Sequence, residues 1–163
     1  MRVLAIDPGP TESAFAVYED GEPALGRKVP NSEMLAIVED PIRMLGSGGA
    51  FIRALAVEMI ASYGMPVGAE VFETCVLIGR LLERWPAGRG PTALVYRRDV
   101  KLHLCGHARA KDGNVRQALI DRWGGKVAAI GNKAKPGPLY GFKADTWQAL
   151  GVAVTFADGA VSS

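Results

Sequence analysis

The stretch RVLAIDPGPTESAFAV, residues 2–17, constrains the fold more than any other part of the chain. Val3, Leu4, Ala5 and Ile6 form a short apolar run of the kind shown by a strand buried on both faces. Asp7 ends the run, and Pro8-Gly9-Pro10 stops further pairing. Proline donates no ladder hydrogen bond, and glycine accepts backbone angles closed to other residues. Glu12 to Tyr18 resumes the strand pattern, so the unit is a hairpin with a tight loop and a carboxylate at the end of its buried first strand. An Asp-x-Gly in that place reads equally as a turn aspartate bonding its own backbone, or as a carboxylate presented to a metal ion or a phosphate.

The rest of the chain extends this start. Strands are expected at 2–7, 12–19 and 22–29, the last two joined by Asp20-Gly21, a hairpin signal. Asn31 or Ser32 can cap a helix running to about Leu45, with a break at Pro41. Gly46 to Gly49 reads as a loop, and 51–58, FIRALAVE, as a fourth strand that again ends in a carboxylate, Glu58. Further on, the pattern predicts a helix at 69–85, a fifth strand at 92–97 and helices at 98–105 and 113–123 around the basic loop GHARAKDG. KVAAI, 126–130, reads as a short strand or edge, and 143–157 as a last helix. Three meandering strands followed by helical crossovers predict an α/β fold: a mixed five-stranded sheet flanked by helices, its fourth and fifth strands parallel to the first. The length suits one domain, 1–158, with a short tail at 159–163. Helix 69–85 has an apolar band wider than one core contact needs, with Ile78 as a candidate outward residue.

Composition excludes several classes. No segment is long and apolar enough to span a bilayer, and the first residues read as a strand rather than a secretion signal. Cys75 and Cys105 are expected as buried free thiols in a reducing cytoplasm, and two cysteines with two histidines at irregular spacing make no zinc site. Charge is unevenly spread. Residues 1–96 carry 8 Lys/Arg against 12 Asp/Glu, whereas residues 97–143 carry 11 against 3, a net of +8. That asymmetry points to a polyanion on the basic segment.

Asp7 and Glu58 end two strands expected to be neighbours, and Asp145 falls in the first turn of the last helix, in KADTWQAL. Singly, each acid has an ordinary reading: a turn residue, a strand-end surface residue, a partner for the helix dipole. Three acids brought together repel unless a cation neutralises them. Mg²⁺ suits them, as a hard ion taking carboxylate, water and phosphate oxygens, with Mn²⁺ as an alternative. Two such ions about 3.5–4 Å apart can clamp an in-line phosphodiester displacement.

In order along the chain, AIDPG, ALAVE, VYRRDVKLHLCGHARAKDGNVRQAL and KADTWQAL resemble the RuvC-type Holliday-junction resolvases of the RNase H-like superfamily, over roughly residues 1–155. The resemblance implies an RNase H-like fold and a Mg²⁺-dependent endodeoxyribonuclease that cuts branched DNA such as four-way junctions as a homodimer. It implies metal-ligand roles for Asp7, Glu58 and Asp145. It also implies contact of Lys101 and Lys111 with DNA or the scissile phosphate, Lys111 offsetting charge there. Arg98 and Arg109, in the same basic segment, are expected to hold the DNA backbone. Helix 69–85 matches the dimer-forming element. The family's additional acid or histidine, one turn before the last, is replaced here by Phe142. A non-catalytic nucleic-acid-binding relative, and an RNase H-like nuclease with a hybrid or other branched substrate, are the alternatives. An actin-like ATPase is disfavoured by a length too short for two lobes.

Overall fold

The computed structural model describes residues 1–159, so the tail expected at 159–163 lies, beyond Gly159, outside the described residues. Strands β1 (Arg2–Asp7), β2 (Glu12–Glu19), β3 (Glu22–Pro30), β4 (Ile52–Met59) and β5 (Thr92–Tyr96) form one sheet in the order β3-β2-β1-β4-β5. β1–β2 and β2–β3 are antiparallel, and β1–β4 and β4–β5 are parallel, as the meander and crossovers require. The helices are α1 (Asn31–Glu39), α2 (Pro41–Leu45), α3 (Ala69–Arg84), α4 (Arg97–Cys105), α5 (Asp112–Arg122), α6 (Lys126–Ala129) and α7 (Thr146–Ala157). No helix among the described residues is long and apolar enough to cross a membrane.

Several local expectations need correction. Asn31 does not cap α1; Pro30 holds that position without a side-chain bond, and the Asn31 amide is used elsewhere. Gly46–Phe51 is a 3-10 helix rather than an open loop. Residues 126–129 are helical, not an edge strand: Gly124 and Gly125, both at positive φ, turn the chain back after α5. The last helix starts at Thr146, so Asp145 is its N-cap and Phe142 precedes it. Cys75 and Cys105 are free but only half-buried. Ile78, the outward candidate of α3, is 3% exposed and belongs to the core, while Phe72 and Val76, at 63% and 64%, face outward.

Period-two alternation gives the sheet two unlike faces. One carries Leu4, Ile6, Phe15, Val17, Leu55 and Val57, covered by α1 and α3. The other carries Val3 and Ala5, Ala14 and Ala16, Ala54 and Ala56, covered chiefly by α7 with α4 and α5 packed beside it. The strand registers align Gly26, Ala16, Ala5, Ala56 and Ala93 in one row across all five strands. A row this small lets α7 approach closely, and Phe142 fills the end of it. A Cβ on Gly26 would lie 2.6 Å from the Phe142 ring, whose centroid is 6.0 Å from that of Trp147. α7 contributes Ala149 and Ala153 to the same core, and its Gly151 lets α4 and α5 pack close: a Cβ there would meet Val100 at 3.0 Å.

Candidate active site

The next row towards the carboxyl ends of β1 and β4 carries the charges. Lys28 pairs in register with Ala14, and Ala14 with Asp7; Glu58 follows Val57, the partner of Ile6. Lys28, Asp7 and Glu58 therefore share the α7 face, with only a methyl group at Ala14 between the first two. This is the crevice beyond strand ends where sites form in open sheets.

The tight turn after Asp7 is braced from below. Gly9 Nα–H donates to Ser13 Oγ at 3.3 Å, Ser13 Oγ donates to Asn31 Oδ1 at 2.7 Å, and Asn31 Nδ2 donates to the Gly9 carbonyl at 2.9 Å. A Cβ on Gly9 would lie 2.4 Å from the Glu12 carbonyl oxygen, so this close approach requires glycine. The turn is small so that it can fold back onto β2 and leave Asp7 facing a 270 Å³ cavity lined by Asp7, Pro8, Glu58, Ala61, Tyr63 and Arg97.

Asp7 and Glu58 are hydrogen-bonded to each other. Burial, then the neighbouring Glu58 charge, pushes the Asp7 carboxyl up to about 8. Burial also raises Glu58, but Arg97 opposes it: Arg97 Nε donates to Glu58 Oε1 at 2.7 Å. At neutral pH Asp7 thus holds a proton, and the bond from Arg97 favours the charged form of Glu58 against its burial. Asp145, at the start of α7, accepts from Lys28 Nζ at 2.6 Å, a bond that holds the Lys28 ammonium above its ordinary pKa. Two of the three expected acids are together; the third is close enough to raise Asp7 further but turns to Lys28. Among the described residues no three His, Cys, Asp or Glu side chains converge on one point. The paired Asp7 and Glu58 fit a hard divalent cation in their chemistry, being sheltered carboxylate oxygens at the edge of a cavity.

Beside this cavity, sharing Arg97 and Tyr63 with it, lies a second of 540 Å³ lined by Arg98, Lys101, Ala108 and Arg109. Three of the four expected DNA-contact residues are therefore gathered next to the carboxylates. Lys101 is partly engaged, 3.5 Å from Asp112. Lys111 lines neither cavity; it is exposed at the N-cap of α5, where its backbone N–H donates to Asn114 Oδ1. Sequence reasoning missed Arg97 and Lys28. The signals were available: Arg97 directly follows β5, the neighbour of the strand ending in Glu58, and Lys28 lies on β3 at the register of Asp7.

A mixed sheet of this order, closed on one face by the C-terminal helix, with acids ending its two central strands, is an RNase H-like α/β fold. Among solved structures, Thermus thermophilus RuvC matches it with a TM-score of 0.68 at 19% identity, over 99% of each chain. T. thermophilus RuvC in complex with a Holliday junction substrate matches with a TM-score of 0.69 at 21% identity, over 99% of this chain and 98% of that one. No protein-family model matches the chain, and no curated protein matches it by sequence.

Proposed function

We propose that the chain is a divalent-metal-dependent endonuclease of the Holliday-junction resolvase type, acting on four-way or similarly branched DNA. One observation carries the reading: paired carboxylates at the ends of adjacent parallel strands open into the same cleft as Arg98, Lys101 and Arg109. The fold shared with T. thermophilus RuvC, whose complex contains a Holliday junction, supports it.

In this reading Asp7, Glu58 and Asp145 hold Mg²⁺ or Mn²⁺. When bound, the ions supply Lewis acidity, easing deprotonation of the attacking water and balancing charge that develops on the phosphate. Asp7 must release the proton it shares with Glu58, and Asp145 must leave Lys28. Arg98, Lys101 and Arg109 bind the DNA backbone without reading bases, which positions the strand over the carboxylates. Lys111, which lines neither cavity, is assigned to backbone contact rather than to the reacting phosphate. A second copy docks on α3 through Phe72 and Val76, giving two sites for two strands of a junction. Phe72→Asp is expected to turn a dimer into a monomer by sedimentation at micromolar concentration; a wild-type monomer under those conditions would remove this part of the reading.

The direct experiment is incubation of synthetic four-way junctions, duplexes and RNA–DNA hybrids with Mg²⁺. Nicking of the junction in preference to the others is expected. Junction binding without nicking would make the chain a non-catalytic relative, and preference for the hybrid would reassign its substrate.

A further inference from the structure

Arg97 is the charged residue that belongs to both halves of the cleft. As the first residue of α4, directly after β5, its backbone is fixed beside the end of β4. Its Nε is bound to Glu58, and its Nη1 lies 3.6 Å from Asp112 Oδ2. The Glu58 side chain is 11% exposed, that of Arg97 40%, so the guanidinium covers the carboxylate while bordering the basic cavity. A guanidinium cannot lose its charge at accessible pH, so that charge must always be balanced by some anion. Glu58 and Asp112 supply that balance in the free protein, and a phosphate entering among Arg98, Lys101 and Arg109 would compete with both. Phosphate is the stronger competitor because it accepts two parallel hydrogen bonds from the fork and carries charge that the neighbouring cations favour. A divalent cation reaching Glu58 meets a fixed positive charge on the same oxygen unless Arg97 has moved.

We propose that Arg97 is a positioning residue that moves between Glu58 and a DNA backbone phosphate, so that DNA binding and divalent-metal binding at this site strengthen one another. The proposal rests on the nuclease reading above, and it adds a direction: the free protein holds its metal weakly because its own arginine occupies the ligand. Coupling of this kind is reciprocal, since whatever factor DNA adds to metal affinity, metal adds to DNA affinity.

The test uses Mn²⁺ binding to the full chain, read by the free-ion electron paramagnetic resonance signal rather than by cleavage. It is run without DNA and with a short duplex, subtracting duplex alone. Arg97→Gln is expected to bind Mn²⁺ about tenfold more tightly than wild type without DNA, as removing one charged competitor implies. Duplex is expected to tighten Mn²⁺ binding to wild type and to leave Arg97→Gln nearly unchanged, with Arg97→Lys in between. Equal or weaker binding by Arg97→Gln, or an unaltered response to duplex, overturns the proposal, the first outcome meaning that Arg97 only braces Glu58. Melting curves of Arg97→Gln and Arg97→Lys show whether either is misfolded, and the comparison then rests on the folded one. Asp7→Asn separates the two layers of argument. If wild type binds Mn²⁺ and Asp7→Asn does not, the metal reading stands whatever Arg97 does. If Asp7→Asn binds as wild type does, or neither binds, the metal reading fails and takes this proposal with it.

Discussion

Asp7 and Glu58 stand on strands, sheltered and bonded to each other, with Glu58 also bound to Arg97; Arg98 and Arg109, at the other end of the same cleft, stand on a helix and a loop with exposed side chains. The acidic half is set by backbone register and cannot shift without moving the sheet. The basic half can follow a flexible polyanion. On the nuclease reading the difference would separate two tasks, fixed geometry where bonds break and adaptable charge where a backbone is gripped, and each could be removed alone.

The largest expected effect lies in the acidic half. Asp7→Asn and Glu58→Gln should each lower junction cleavage in Mg²⁺ by about a thousandfold or more, as loss of a metal-holding group implies. Junction affinity measured in a chelator should stay within about threefold of wild type, because phosphate contacts dominate it. Asparagine can still donate to Glu58 as the protonated Asp7 does, so the fold should survive. A cleavage-competent Asp7→Asn protein would dissolve the division between the halves.

The next effect is on stability, measured in a chelator. Asp7 has its folded pKa raised to about 8 from an ordinary 3.8. Below 3.8 both folded and unfolded chains hold the proton, and the contribution is fully present. As pH rises the unfolded chain ionises first, and the contribution is lost progressively until about pH 8. Melting temperature should therefore fall between pH 4.5 and about 8 in wild type and fall less in Asp7→Asn. Parallel profiles for the two proteins would show that Asp7 is not the group concerned.

The smallest effect belongs to the basic half. Lys101→Ala should weaken binding to all DNA sequences alike and reduce the salt dependence by about one unit of slope. Cleavage at saturating enzyme should change little. A loss confined to some sequences would mean that this half reads bases.

The antiparallel meander of β1–β3, the parallel direction of β4 and β5 and the strand-end places of Asp7 and Glu58 are legible in sequence, because apolar runs closed by Pro-Gly-Pro and by Glu58 admit few other arrangements. What the sequence concealed were the partners. Period-two alternation says which face a residue takes, but not that Lys28 and Asp7 share a row, since that needs the registers of three strands at once. Lys143 and Ala144 look helical in sequence, but Ala144 has positive φ and Thr146 Oγ1 accepts from the Lys143 backbone N–H, which holds the chain in a turn and starts α7 at Thr146. Asn31 and Ser32 both suit a cap by type, whereas the Asn31 amide bridges a turn more than twenty residues earlier.

The contact between Phe142 and Gly26 limits how this site can change by descent. An acid at position 142 would stand where a ring now fills the notch over Gly26, and it would set a charge against an apolar strand row. Phe142→Asp alone should cost about 2–4 kcal/mol in chemical denaturation and leave metal affinity no higher. A side chain at Gly26 could refill the notch, but it cannot be introduced while the phenylalanine is there. The order of change is therefore fixed: the ring at position 142 can be lost first, at a cost in stability, whereas no side chain can enter at Gly26 while the ring remains.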